Sequence, residues 1–488
     1  MKIVIANSIG IDKNGYYIIH SPSRWSEGVK DKSHWFAYYP WELAYLSSLL
    51  KKETKHEVKF IDGCLLKMDR AHYSELIKSL KPDILILESA TRMIDENLAL
   101  ALDIKKDCAS RIIFVGQHAT AFPQQLIEQG VDNVCIGEYE YSVLELIQNP
   151  DQAMILGVYP NQRRPLLDIN ALPWPEDEDV SRLDYAVPGE PSSEFREIQM
   201  YASRGCPGAC NFCVARHVYY NRANWRGRNV DDLVKEIAYL KEKYPQMQGV
   251  FFDEEVHNGN REFILQLSKA IINAGLNTLH YEAMCDVRFL DEPVLLAMKK
   301  AGYYKIRIGI ETASAKVMRA INKPMNLTHI QDTLLSAKKI GLRTYGTFTF
   351  GALGSDYAED TKTIQFMEDL IKQDLLDGLQ LSICTPQPGT PFYNTALENN
   401  LLREKAVFCD YDGGNFAMIS YPSYNHGQIE KIKQQALLIR DHLYLKKKIK
   451  QRSFLKWVIE TFKRYGFAGF IVKAYRRFLL EIKYFRAK

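Results

Sequence analysis

Cysteine is sparse in this chain: there are nine in 488 residues, and six of them, Cys64, Cys108, Cys135, Cys285, Cys384 and Cys409, stand alone. An odd, scattered set does not read as a disulfide framework, so these six are expected to be reduced and structural. No run of about 18 uninterrupted apolar residues occurs, which argues against a membrane-spanning helix. The opening MKIVIANS is strand-like and has neither a basic n-region nor a long apolar h-region, so no secretory signal is read and a cytoplasmic protein is expected. No glycine fingerprint for cradling phosphate follows that first strand, which disfavours a nucleotide there. The net charge of +4 hides an asymmetry, because Lys446 to the C-terminus carries 14 Lys/Arg against 2 Glu. Everything before it is net acidic.

What is concentrated is thiol. Cys206, Cys210 and Cys213 lie within CPGACNFC in a C-x3-C-x2-C spacing. Thiolate is the preferred ligand of iron–sulfur iron, and a compact loop offering three can hold a 4Fe-4S cluster while leaving one iron without a protein ligand. Pro207, Gly208 and Ala209 keep the loop tight enough to wrap an inorganic core. A structural zinc would need a fourth ligand, and His217 is available for it, but the spacing and the hydrophobic Phe212 favour the cluster. The spacing, with an aromatic residue just before the third cysteine, resembles the radical S-adenosylmethionine superfamily.

Length predicts about three domains, and the pattern is α/β throughout. Residues 1–148 alternate strands (Lys2 to Asn7, Val58 to Asp62, Asp83 to Glu88, Arg111 to Val115, Asn133 to Ile136) with helices, predicting a doubly wound, Rossmann-like sheet. Such sheets bind ligands beyond the carboxyl ends of their strands, where Ser89, Thr91, Gly116, Gln117, His118, Gly137 and Glu138 fall. The phrases PWELAYLSSLL, ESATRMIDENLALALDIKK, VGQHATAFPQQL and VDNVCIGEYEYSVLEL make this segment similar to the cobalamin-binding domain of one radical branch. The resemblance implies that those seven residues contact cobalamin. The Asp-x-His-x-x-Gly motif, whose histidine ligates cobalt in many cobalamin proteins, is missing, and His118 is read as pocket-lining rather than as a replacement ligand.

Periodicity fades over 149–195, a Pro- and acid-rich linker apolar enough to pack. Residues 196–395 then read as six strand–helix units, with strands near Ile198 to Ala202, Gly249 to Phe252, Leu279 to Met284, Lys305 to Ile310, Arg343 to Thr349 and Gly378 to Ile383. This matches a partial β/α barrel, whose active groups gather at the strand C-terminal ends, and the cysteine loop follows the first strand. Asp253, Glu254, Glu255, Asp286, Arg288 and Glu311 follow later strands, and Gly346, Gly351 and Gly354 lie around the fifth. Carboxylates suit an ammonium or ribose hydroxyls, arginine suits a carboxylate, and glycine lets a purine lie against backbone. The resemblance implies Glu254 or Asp253 at the methionine ammonium, Glu311 at the ribose or methionine end, and the glycines at adenine, with Phe212 and Arg288 beside them.

Residues 396–488 form a helical C-terminal region whose tail carries an apolar stripe (Phe467, Ile471, Tyr475, Phe478, Ile482, Phe485) among basic residues. The stripe suits docking on the barrel or peripheral contact with an anionic membrane; no recognisable RNA-binding module accompanies it. The resemblance implies an enzyme that uses the cluster, S-adenosylmethionine and cobalamin to methylate an unactivated carbon through a 5'-deoxyadenosyl radical. Its partners would be a small-molecule or lipid-like substrate and an electron donor such as flavodoxin or ferredoxin. A radical cyclase and a non-catalytic cobalamin- or cluster-binding module remain alternatives.

Overall fold

The computed structural model describes residues 1–21, 24–189 and 193–450. The apolar stripe and most of the basic tail lie outside the described residues. In chain order the strands are β1 (Lys2–Ala6), the hairpin β2 (Tyr17–Ser21) and β3 (Trp25–Val29), β4 (Glu57–Ile61), β5 (Ile84–Glu88), β6 (Arg111–Val115) and β7 (Asn133–Val134). They continue with β8 (Glu197–Met200), the two-residue β9 (Ser203–Arg204) and β10 (Arg226–Gly227), β11 (Gly249–Phe252), β12 (His280–Cys285), β13 (Tyr303–Glu311), β14 (Arg343–Phe350) and β15 (Gly378–Ile383).

Two parallel sheets result. The first has the order β4-β1-β5-β6-β7, a doubly wound pattern whose winding reverses between β1 and β5. Its central strands ILILE and RIIFV are almost continuously apolar because helices cover both faces. The second holds six parallel strands, β15-β14-β13-β12-β11-β8, each beside its neighbour in sequence, the strand order of the predicted barrel. Helices start where the chain offers a side-chain cap: Asn260, Asp291, Asn326 and Asp356 each accept from a backbone N–H in the first turn.

The two halves share one helix. In Trp41–Glu53, Leu43, Leu46, Leu49 and Leu50 enter the core of the first sheet, while Trp41, Ala44 and Tyr45 enter that of the second. The linker packs as well: Ile155, Val158, Leu167 and Tyr185 are buried, and buried Arg182 bonds Glu236 at 2.5 Å. All nine cysteines are free. Among the described residues no helix is long and apolar enough to cross a membrane.

Candidate active site

The cysteine loop is held at both ends. The antiparallel ribbon of β9 and β10 pinches its base. At its tip the Asn211 amide N–H donates to the Ile321 carbonyl and its side chain to the Ala320 carbonyl, while Asn322 donates to the Ala209 carbonyl. Inside the loop the Gly208 N–H lies 3.2 Å from the Cys206 sulfur, a contact that favours thiolate. A Cβ at Gly208 would come within 3.2 Å of the Cys206 sulfur, 3.4 Å of Arg288 and 4.0 Å of the Cys210 sulfur, so only glycine leaves the space between these thiols open. Burial raises all three thiols, Cys206 to about 11 and Cys213 to about 12, a cost that a metal binding their thiolates would offset. His217 is committed elsewhere, with Nε2 3.0 Å from the Cys210 carbonyl. Among the described residues no three His, Cys, Asp or Glu converge as ligands of one ion would. Thiolates that bind separate irons of a cluster need not converge in that way.

The loop opens on a cavity of about 380 Å³ lined by all three cysteines, Phe212, Glu254, Glu255, Asp286, Arg288, Glu311 and Lys323. Its charges come in geometric pairs. Arg288 grips Asp286 with both Nε (3.0 Å) and Nη2 (2.6 Å); burial alone would raise the Asp286 carboxyl, but Arg288 and Lys323 hold it below its ordinary value. Glu311 accepts from Lys323 Nζ at 2.9 Å. Glu255 accepts the Gly205 N–H at 3.0 Å and faces Arg24 at 3.6 Å. Glu254 reaches the cavity wall but is already engaged by the Ala202 N–H (2.9 Å), the Ser203 hydroxyl (3.2 Å) and His257 (2.7 Å).

Four expected S-adenosylmethionine contacts are not brought to the cavity lining: Asp253, Gly346, Gly351 and Gly354, the last with its Cβ position against Ala320. Asp253 is buried behind that lining, where burial raises its carboxyl to about 6 and its carbonyl accepts from Arg24. Gly346 points away, its Cβ position facing Leu376, Phe348 and Ile310; with a period of two, Thr347 and Thr349 face the cavity instead. Gly351 turns outward at φ 69°, its N–H bound to Asp360 and its Cβ position against Ile429 of the helix His426–Lys450. Conversely, Lys323, Arg24 and Trp25 line the cavity without having been singled out. The β2–β3 hairpin that carries Arg24 and Trp25 was itself unforeseen, although the aromatic and β-branched run YYIIHS is a strand signal.

A second constellation lies at the carboxyl end of the first sheet. The Gln117 side-chain oxygen accepts the Thr91 N–H (2.9 Å) and hydroxyl (3.1 Å), so the Thr91 oxygen must accept from His118 Nδ1 at 3.2 Å. His118 Nε2 is therefore a bare lone pair, and it has no partner although fully buried; burial lowers this imidazole to about 3. Gln117 Nε2, Asn7 Oδ1 and Glu42 Oε2 are equally buried and unpartnered, and neither His20 ring nitrogen makes a hydrogen bond, although Nε2 faces Glu88 Oε1 at 3.9 Å. Ser89 accepts from Asn97 at 2.9 Å. Gly116, at φ 94° and ψ −158°, leaves room for Glu88, whose Cγ a Cβ would approach to 2.6 Å. Buried polar atoms are normally paired, so this set fits a ligand rich in amides, as cobalamin is. Gly137 (φ 73°) passes close to the Tyr219 carbonyl. Glu138 is committed inside the protein: Arg226 holds it at 2.9 Å and Arg204 at 3.3 Å. Those arginines belong to the β9–β10 ribbon, so the base of the cysteine loop is clamped to the first sheet.

The radical SAM superfamily pattern matches residues 200–367. An uncharacterized methyltransferase of Pyrococcus horikoshii is 28% identical over 91% of this chain and 94% of its own. An anaerobic magnesium-protoporphyrin IX monomethyl ester cyclase of Cereibacter sphaeroides is 23% identical over 81% of this chain and 65% of its own. Among solved structures, the cobalamin-dependent S-adenosylmethionine radical enzyme OxsB superposes with TM-score 0.66 at 14% identity, covering 99% of this chain and 72% of that one. The radical S-adenosylmethionine methyltransferase TsrM of Kitasatospora setae gives 0.65 at 14% identity, covering 84% and 82%. The three-cysteine loop lies inside the segment that matches the radical SAM superfamily, residues 200–367, and the chain as a whole has the fold of the cobalamin-dependent S-adenosylmethionine radical enzymes on which it superposes.

Proposed function

We propose that this protein methylates an unactivated carbon of a small-molecule or lipid-like substrate. A 4Fe-4S cluster would sit on Cys206, Cys210 and Cys213, S-adenosylmethionine in the adjoining cavity, and cobalamin at the carboxyl end of the first sheet. The observation that carries the reading is the single cavity in which three clustered thiols face ordered carboxylate–cation pairs, with the loop base clamped to the sheet that bears the unpartnered polar set. When bound, the cluster supplies an electron for cleaving S-adenosylmethionine and cobalamin carries a methyl group. The chain binds and orients: Glu255 and Glu311 suit the ammonium and ribose hydroxyls, Arg288 suits a carboxylate, and Thr347 and Thr349 offer hydroxyls along the inner wall. Residues 1–148 would be the cobalamin domain, 149–195 a packed connector, 196–395 the radical domain and 396–488 the closing helical region. Reduction calls for an external donor such as flavodoxin or ferredoxin.

Anaerobic reconstitution followed by assay for 5'-deoxyadenosine tests the enzyme reading; no cleavage with reductant and substrate would sink it. Methyl-labelled S-adenosylmethionine separates methylation from the second reading, a radical cyclisation, which the cyclase relatives covering 81% of the chain favour. Label must enter the product in the first case only.

A further inference from the structure

We propose that Lys323 is a positioning residue of the S-adenosylmethionine site: it presents Glu311 to the ligand and sets a fixed positive charge in the cavity that the Cys210 sulfur also lines. This rests on the cluster and S-adenosylmethionine reading above.

Three observations meet at this side chain. Lys323 is only 8% exposed, yet its ammonium lines the cavity, donating to the Gly309 carbonyl at 2.8 Å and to Glu311 at 2.9 Å. Glu311 sits at φ 64°, and the pairing of β13 with β14 slips between Gly309 and Glu311. A left-handed glutamate at a bulge is strained and re-aims its side chain, so something must hold it. Lys323 does so from both sides of the bulge. Gly309 makes the arrangement possible, because a Cβ there would fall 2.5 Å from the Glu311 carboxylate and 2.8 Å from the Lys323 nitrogen.

The same turn grips the cysteine loop. Ala320 and Ile321 accept from Asn211, and Asn322 donates to Ala209, so the residues just before Lys323 fix the loop while Lys323 fixes the strand end. Burial works to lower this amine, but Glu311, then Cys210 and Asp286, outweigh it and hold the ammonium above its ordinary range. A buried ammonium is costly and persists where its position is needed. Its charge favours the more negative, reduced form of a cluster on Cys210.

The test uses full-length Lys323→Met and Lys323→Arg proteins reconstituted anaerobically, with iron and sulfide content confirming a cluster in each. Redox titration followed by electron paramagnetic resonance should show a more negative midpoint for Lys323→Met and a near wild-type one for Lys323→Arg. S-adenosylmethionine should bind Lys323→Met about tenfold more weakly, since a charged hydrogen bond orders its partner. Wild-type potential and affinity in Lys323→Met would overturn the proposal while leaving the cluster reading intact. A wild-type protein that assembles no cluster would remove that reading and this one together. Should Lys323→Met fail to fold, Lys323→Gln, which can still donate to the Gly309 carbonyl, replaces it in both measurements. A lowered midpoint and weaker binding are again expected, and wild-type values would again overturn the proposal.

Discussion

The two candidate sites of this molecule are prepared in opposite ways. Around the cysteine loop the charged groups already have partners: Asp286 with Arg288, Glu311 with Lys323, Glu255 with the Gly205 N–H. At the carboxyl end of the first sheet, buried atoms of Glu42, Gln117 and His118 have none. A site whose groups satisfy one another keeps its shape before the ligand arrives. A site of orphaned groups loses free energy until a ligand supplies the missing hydrogen bonds, about 1–3 kcal/mol for each buried atom left unpaired. The first should therefore depend on fixed positions and the second on occupancy.

The largest break in that comparison is Cys210→Ala. Losing one of three thiolates should abolish the cluster and 5'-deoxyadenosine formation, while cobalamin binding stays within about twofold, because the unpartnered set lies on the other sheet. Iron content and equilibrium dialysis with hydroxocobalamin measure the two. Comparable loss of both would show that the sites are one unit. Gly116→Ala is the converse. Its backbone lies in a region that only glycine tolerates, and the new methyl would press on Glu88. A stability loss of about 2–3 kcal/mol in urea unfolding is expected, with weakened cobalamin binding and a normal iron count. His118→Ala should act in the same direction but less, reducing cobalamin affinity about fivefold by removing one acceptor.

Much of this was legible in the sequence. The eleven strands of the two main sheets, β4 at Glu57–Ile61 and β11 at Gly249–Phe252 among them, lie where apolar runs between turn signals predict them, because most are apolar runs with a helix to follow. The cysteine loop was legible because its chemistry is local. What periodicity could not supply was which alternate residue faces inward at β14, where Thr347 rather than Gly346 reaches the cavity, since both faces of that strand are covered. Nor could it find Lys323, which lies 12 residues beyond Glu311 and becomes its partner only through the turn that grips the cysteine loop. Glu138 was read as ligand-facing from its place after a strand, yet two arginines some 66 and 88 residues away claim it. Long-range charge pairing leaves no periodic trace.

The gentlest test of the contrast is pH. Burial first, then neighbouring Glu88, raises the Glu42 carboxyl from an ordinary 4.5 to about 8, with Arg204 opposing. A group raised on folding contributes stability that is complete below its unfolded value and is lost as pH climbs through the folded one. The unfolded chain gives up this proton near pH 4.5 and the folded chain only near pH 8, so stability should drain away between the two and level off above. Glu42→Gln removes that slope, and its advantage in urea midpoint over wild type should be small at about pH 5 and largest at about pH 9. Asp286 must behave with the opposite sign: held below its ordinary 3.8, it contributes stability above that value and loses it in acid, so Asp286→Asn should cost most at neutral pH. His20 and His118 lose stability in acid too, as pH falls from 6.5 toward about 4 and about 3, but through burial rather than through pairing. Parallel curves for Glu42→Gln and wild type would mean that Glu42 is already satisfied, and the distinction between a paired and an unpaired site would fail at its most sensitive residue.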